Sequence, residues 1–110
     1  MHLDDRTRLL HMVDAAQDVI SFAAGATRSS LDQNKMLALA LVRCIEIIGE
    51  AANGLSENLR SLHPEIPWPQ IIAMRNRLIH GYFEVDLDRL WDTVTSNIPE
   101  LLAKLKPLAG

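Results

Sequence analysis

From Leu31 to Ser61 the apolar residues keep a helical period on two neighbouring faces at once, and this constrains the chain more than any other feature. Leu37, Leu41, Cys44, Ile48, Ala51 and Leu55 recur at alternating steps of four and three. Ala38, Val42, Ile45, Gly49 and Ala52 repeat the rhythm alongside. An apolar arc so wide exceeds what one neighbouring helix covers, so this segment predicts a helix that is either central or at an interface. Gly49, Ala51 and Ala52 are small enough for another backbone to come close. A polar stripe runs opposite: Arg43, Glu46, Glu50, Asn53, Glu57 and Arg60. It is either a solvated face or, through Glu46 or Glu50, part of the lining of a polar site.

The other long segments read with the same period, and none alternates as a strand does. From about Asp4 to Ala24, Leu10, Val13, Gln17, Ile20 and Ala24 fall three or four apart. Leu9, Met12, Ala16, Val19 and Ala23 widen that face, and Gly25 supplies the stop. Ala26 to Ser29 reads as a polar connection, and Ser30 with Gln33 as a capping box. His63-Pro64-Glu65-Ile66-Pro67 breaks the chain, and Trp68-Pro69 opens a third helix that falters at Gly81. Asp86 or Asp88 caps a fourth, carrying Leu87, Leu90, Trp91, Val94, Ile98, Leu101, Leu102 and Leu105, with a kink expected near Thr95 from Pro99. Pro107 to Gly110 reads as a loose tail. The expected architecture is all-α, an up-and-down bundle of four to five helices, with residues 1–110 as a single domain.

Composition narrows the function classes. Eleven Lys and Arg against fourteen Asp and Glu give a net charge of −3, so nucleic acid would have to be held at a local site. The single cysteine, Cys44, excludes an internal disulfide and cysteine-based zinc fingers, and it reads as a small core residue. The longest apolar run, Met36 to Val42, is far short of a membrane span, and the acidic start lacks the basic region of a signal peptide. The expectation is a cytoplasmic protein with no membrane association.

One stretch departs from amphipathic patterning: Arg75-Asn76-Arg77-Leu78-Ile79-His80-Gly81-Tyr82. Arg75 offers a planar, permanently charged fork suited to phosphate oxygens. His80 exchanges a proton near neutral pH. Asn76, four residues before His80, shares its helical face and is placed to orient the imidazole. Arg75, five before it, lies about 140° around an ideal helix. The two meet at one phosphate only if the helix distorts near Gly81 or a second subunit completes the pocket. Read as residues alone, an Arg–His pair on a helix is more often structural than catalytic, and Tyr82 reads as a half-buried packing side chain. Trp68 and Trp91 flank the segment and are expected to pack it. His2, His11 and His63 have no paired metal-ligand spacing and read as surface or loop residues. Glu46 and Glu50 lack the Glu-x-x-His repeats of a di-metal bundle.

The run Arg75-Asn76-x-x-x-His80 followed by Gly81-Tyr82 resembles the Rx4HxY motif of HepT-like proteins, members of the HEPN superfamily. Arg43-Cys44-Ile45-Glu46-Ile47-Ile48-Gly49-Glu50-Ala51 resembles that family's R-x-x-E-I-I-G-E-A segment, and Trp68 to Met74 and Val85-Asp86 through Trp91 are similar as well. The resemblance implies a HEPN-like bundle acting as the toxin of a type VII toxin–antitoxin pair. Such toxins are metal-independent endoribonucleases without a cofactor, and they dimerise around a shared cleft. It further implies Arg75 and His80 as the catalytic pair and Asn76 as a supporting residue. Tyr82 would be the side chain that a MntA-like minimal nucleotidyltransferase modifies by AMPylation. The implied partners are RNA, that nucleotidyltransferase and a second copy of the chain, in a homodimer or a larger hetero-oligomer. The competing expectation is a non-catalytic HEPN subunit that binds a nucleotide or docks the nucleotidyltransferase.

Overall fold

Both apolar stripes of the long central segment are largely buried, with only Leu37 and Val42 partly open, in the computed structural model, which describes residues 4–81 and 84–110. The segment is not one helix, however. It divides into α2 (Arg28–Gln33), α3 (Lys35–Gly54) and α4 (Glu57–Leu62). Asn34 makes the first break by capping α3, its side chain accepting from the Leu37 N–H at 3.0 Å. Ser56 makes the second, capping α4 through the Leu59 N–H at 3.1 Å. The capping box expected at Ser30 and Gln33 instead joins Thr27 to Ser30, one turn earlier, so α2 starts inside the expected connection. Polar side chains that bond the backbone locally compete with helix continuation, and here they win over the apolar period.

α1 (Asp5–Ala23) and α5 (Trp68–Leu78) both pack on α3, and the C-terminal helix packs on α1. α3 is therefore central, its Leu41, Ile45, Ile48 and Ala52 fully enclosed. Gly25 ends the first helical segment at φ +77°, a conformation glycine adopts without strain. Trp68 is buried, its indole N–H donating to the carbonyls of Arg60 and His63, so it pins the Pro-rich connection to the start of α5.

After α5 the chain forms β1 (Ile79–His80) and β2 (Glu84–Val85), an antiparallel pair with Ile79 opposite Val85 and His80 opposite Glu84. Two-residue strands carry no readable period, which is why the sequence shows only helices. α6 (Leu87–Asp92) follows, capped by Asp86, one of the two aspartates expected there. The kink expected from Pro99 appears as a π-helical turn over Thr93–Asn97, where the Ile98 N–H reaches the Thr93 carbonyl. A proline has no N–H to return to the carbonyl four residues back, so the ladder widens before it. α7 (Ile98–Ala109) then runs through Pro107. The loose tail expected there is helix, with Ala109 buried and its carbonyl accepting from Arg6. Among the described residues, no helix is long and apolar enough to cross a membrane.

Candidate functional site

Where α5 crosses α3, the side chain that would separate them is missing. A Cβ on Gly49 would stand 3.3 Å from the carbonyl oxygens of both Ile71 and Ile72, so glycine sets the closeness of the two helices. Glu46, one turn before Gly49, and Glu50, the residue after it, are thereby brought to one cavity with Arg75 and Asn76. These residues, with Gly49, Asn53 and Ile72, line an open cavity of about 210 Å³. Glu46 and Glu50, expected either on a solvated face or in the lining of a polar site, both lie at this cavity.

Arg75 is held at 2.9 Å, Nε to Oε2 of Glu46, and the other oxygen of Glu46 takes the guanidinium of Arg43. The terminal Nη nitrogens of Arg75 have no partner among the described residues. A guanidinium fixed at one edge and open at the other suits an incoming phosphate. Arg75 and Arg77 also lie in the last turn of α5, where positive charge offsets the helix dipole.

His80 sits elsewhere. α5 ends at Leu78, and the chain turns into β1, so the angular separation of an ideal helix no longer applies. Gly81 follows at φ +66°, in the left-handed region. The Nε2 of His80 lies 3.7 Å from Oδ2 of Asp86, and His80 does not line the cavity beside Arg75. Asn76, expected to orient the imidazole, lines the Arg75 cavity instead and makes no side-chain hydrogen bond among the described residues. The break in the helix at Leu78 is the reason, because it removes the i, i+4 relation between Asn76 and His80. Within one chain, then, Arg75 answers to a carboxylate of α3 and His80 to the carboxylate that caps α6. Tyr82, the expected modified residue, and His2 lie outside the described residues.

Asp86 is the residue that sequence reasoning valued only as a helix cap. The Arg89 backbone N–H, foremost, and the His80 ring hold its carboxyl below the usual aspartate range. Its proximity to His80 depends on a four-residue ladder too short to leave a periodic signal. On the opposite side of α5 a second groove of about 240 Å³ is lined by Gln70, Met74, Arg77, Arg89, Thr93 and Lys104, among others. Among the described residues, no three His, Cys, Asp or Glu side chains converge as metal ligands would.

Residues 12–108 match the family described as Ribonuclease HepT-like. The chain is 35% identical over 98 residues to a Methanocaldococcus jannaschii protein named "Putative RNase", covering 89% of this chain and 90% of that one. A Caldanaerobacter subterraneus protein with the same designation is 35% identical over 103 residues, 94% of this chain and 92% of its own. The "Probable ribonuclease HepT" of Thermococcus cleftensis is 45% identical over 75 residues, 68% of each chain. No solved structure matches significantly.

Proposed function

This chain belongs to the ribonuclease HepT-like family and is an endoribonuclease of the HEPN type, and from that premise we propose that Arg75 and His80, with Asn76 in support, form its catalytic centre. The observation that carries the assignment is the exit of the chain from α5 at Leu78. His80, beyond that exit, is 64% exposed and Arg75, in the last turn before it, 46%, each steadied by a carboxylate rather than spent on the core.

In this reading the 2′-oxygen of a ribose attacks the adjacent phosphorus and surrenders its proton to a base. The bond from phosphorus to the 5′-oxygen breaks, and that oxygen takes up a proton from an acid. Arg75 bears the negative charge of the pentavalent phosphate, and His80 performs one of the two proton transfers. The products are a 2′,3′-cyclic phosphate and a 5′-hydroxyl, and no step calls for a metal.

A second copy of the chain fits the same picture. The outward stripe of α3 passes from exposed Met36 and Leu39 to Arg43, Glu46 and Glu50, an apolar end running into the polar cavity. A homodimer closed over Met36 and Leu39 would set two such cavities side by side and bring the separated Arg75 and His80 of two chains to one phosphate. The wider role is that of a toxin in a type VII pair, acting in the cytoplasm and silenced when a MntA-like nucleotidyltransferase transfers AMP to Tyr82. A charged nucleotide two residues from His80 would occupy the place of the RNA phosphate and repel the strand. The extent of the family match supports reading residues 1–110 as one helical domain.

The test is a short RNA incubated with the purified protein in EDTA, its products identified by mass. A cyclic phosphate end is expected, and co-expression with the nucleotidyltransferase should add AMP to Tyr82 and abolish cleavage. A protein that binds this RNA but leaves it intact would instead be the non-catalytic docking subunit.

A further inference from the structure

The carboxylate of Asp86 is hydrogen-bonded on one side and faces two basic side chains in longer ion-pair contacts on the other. Its Oδ1 accepts the Arg89 backbone N–H at 3.1 Å, closing the N-terminus of α6. Its own N–H donates to the Leu78 carbonyl at 2.7 Å, which ties the residue across the ladder to the end of α5. The side chain is thus fixed at both ends before it meets the imidazole. Its Oδ2 then stands 3.7 Å from His80 Nε2 and 3.5 Å from Arg89 Nε. The other charged side chain placed opposite His80 is Glu84, its partner across the ladder.

We infer that Asp86 is a positioning residue for His80: it holds the Nε2–H edge of the ring and thereby leaves Nδ1 as the nitrogen that meets substrate. The inference rests on the reading of His80 as the proton-transfer group. The physical reason is that a neutral imidazole carries one ring proton, and whichever nitrogen faces a fixed acceptor keeps it. A carboxylate anchored by a helix cap is such an acceptor, and it cannot swing away without uncapping α6. Without Asp86 the exposed ring would rotate and exchange tautomers freely, and only part of the population would be ready to act.

Two substitutions separate this role from capping, because serine and asparagine both cap helices well. Asp86→Ser keeps the cap and removes the acceptor from His80. Asp86→Asn keeps the cap with its oxygen and turns an NH2 donor toward Nε2, which favours the opposite tautomer. Ring ¹⁵N shifts of His80, assigned by comparison with His80→Gln, read the tautomer whether or not RNA is cut. In the parent the Nε2–H form should dominate; in Asp86→Ser the two forms should mix, and in Asp86→Asn the Nδ1–H form should lead. Cleavage kcat should fall about 10- to 100-fold in both variants, with KM within about twofold and the melting temperature nearly unchanged. Ring shifts identical to the parent in both variants would overturn the pairing. Altered shifts with an unchanged kcat would overturn the positioning role. If the parent itself left RNA intact, the nuclease reading would fall, while the ring shifts would still decide whether Asp86 holds His80.

Discussion

Nε of Arg75 on α5 lies 2.9 Å from Oε2 of Glu46 on α3, and Glu46 in turn grips Arg43 on its own helix. The carboxylate thus stands between two guanidiniums and sets the edge from which Arg75 faces the open cavity. Replacing Glu46 by Gln keeps the shape and weakens a part-exposed ion pair worth up to about 1 kcal/mol. RNA cleavage by Glu46→Gln should drop up to roughly fivefold in kcat, since about 1.4 kcal/mol is a factor of ten. Kinetics with a defined oligonucleotide, alongside a thermal melt to confirm the fold, check this.

Gly49 decides whether that contact exists at all. A valine there would push its methyl groups into the Ile71 and Ile72 carbonyls, which are helix backbone and yield little. Gly49→Val should lose about 1–3 kcal/mol of stability by overpacking. It should also lower cleavage more than its stability loss explains, because α5 carries Arg75 away from Glu46. Urea unfolding and cleavage rates measured at a temperature where both proteins are folded separate the two effects.

The sequence makes these positions legible to different degrees. The double stripe of α3 announces a central helix, and its small residues announce a close crossing; Gly49 against α5 is that crossing. Asp86 as a cap and the stop at Gly25 are likewise plain, since each depends on neighbours a few residues away. Asn34 and Ser56 are missed because a capping side chain interrupts a helix without disturbing its apolar period. The His80–Asp86 contact is missed for a different reason: it needs the chain to reverse between two strands of two residues each. Pro99 signals a kink, but whether the ladder bends or widens into a π turn depends on packing that the local sequence does not encode.

Three aspartates predict the acid limb of stability. Asp4 sits below the ordinary aspartate value because the Thr7 backbone N–H donates to it, Asp5 chiefly because the Ser56 hydroxyl does, and Asp86 chiefly because the Arg89 N–H does. Each therefore takes up a proton more readily in the unfolded chain than in the folded one. Their stabilisation is fully present above the unfolded value of 3.8 and is lost as pH falls through the lower folded values. Urea midpoints should hold steady from these groups near neutrality and drop below about pH 4. Asp5→Asn should start lower and show a shallower drop, as its bond to Ser56 joins α1 to α4.

Cys44 lies in the core stripe of α3, and burial pushes its thiol pKa up. A protonated, enclosed thiol is a poor nucleophile. Labelling of the native protein by a disulfide reagent should therefore proceed only at the rate at which α3 becomes exposed, and at once in strong urea. Fast labelling under native conditions would contradict the enclosure of that stripe.

The central claim is that Arg75 and His80 cut RNA together, and single substitutions at each test it most directly. Cleavage of one defined RNA in EDTA should be abolished by His80→Ala and by Arg75→Ala, with unchanged melting temperatures. Arg75→Lys should also be impaired, since lysine keeps the charge but not the fork that meets a phosphate while its other edge is held by Glu46. If His80→Ala or Arg75→Ala cut as fast as the parent, the centre assigned to these residues would be wrong.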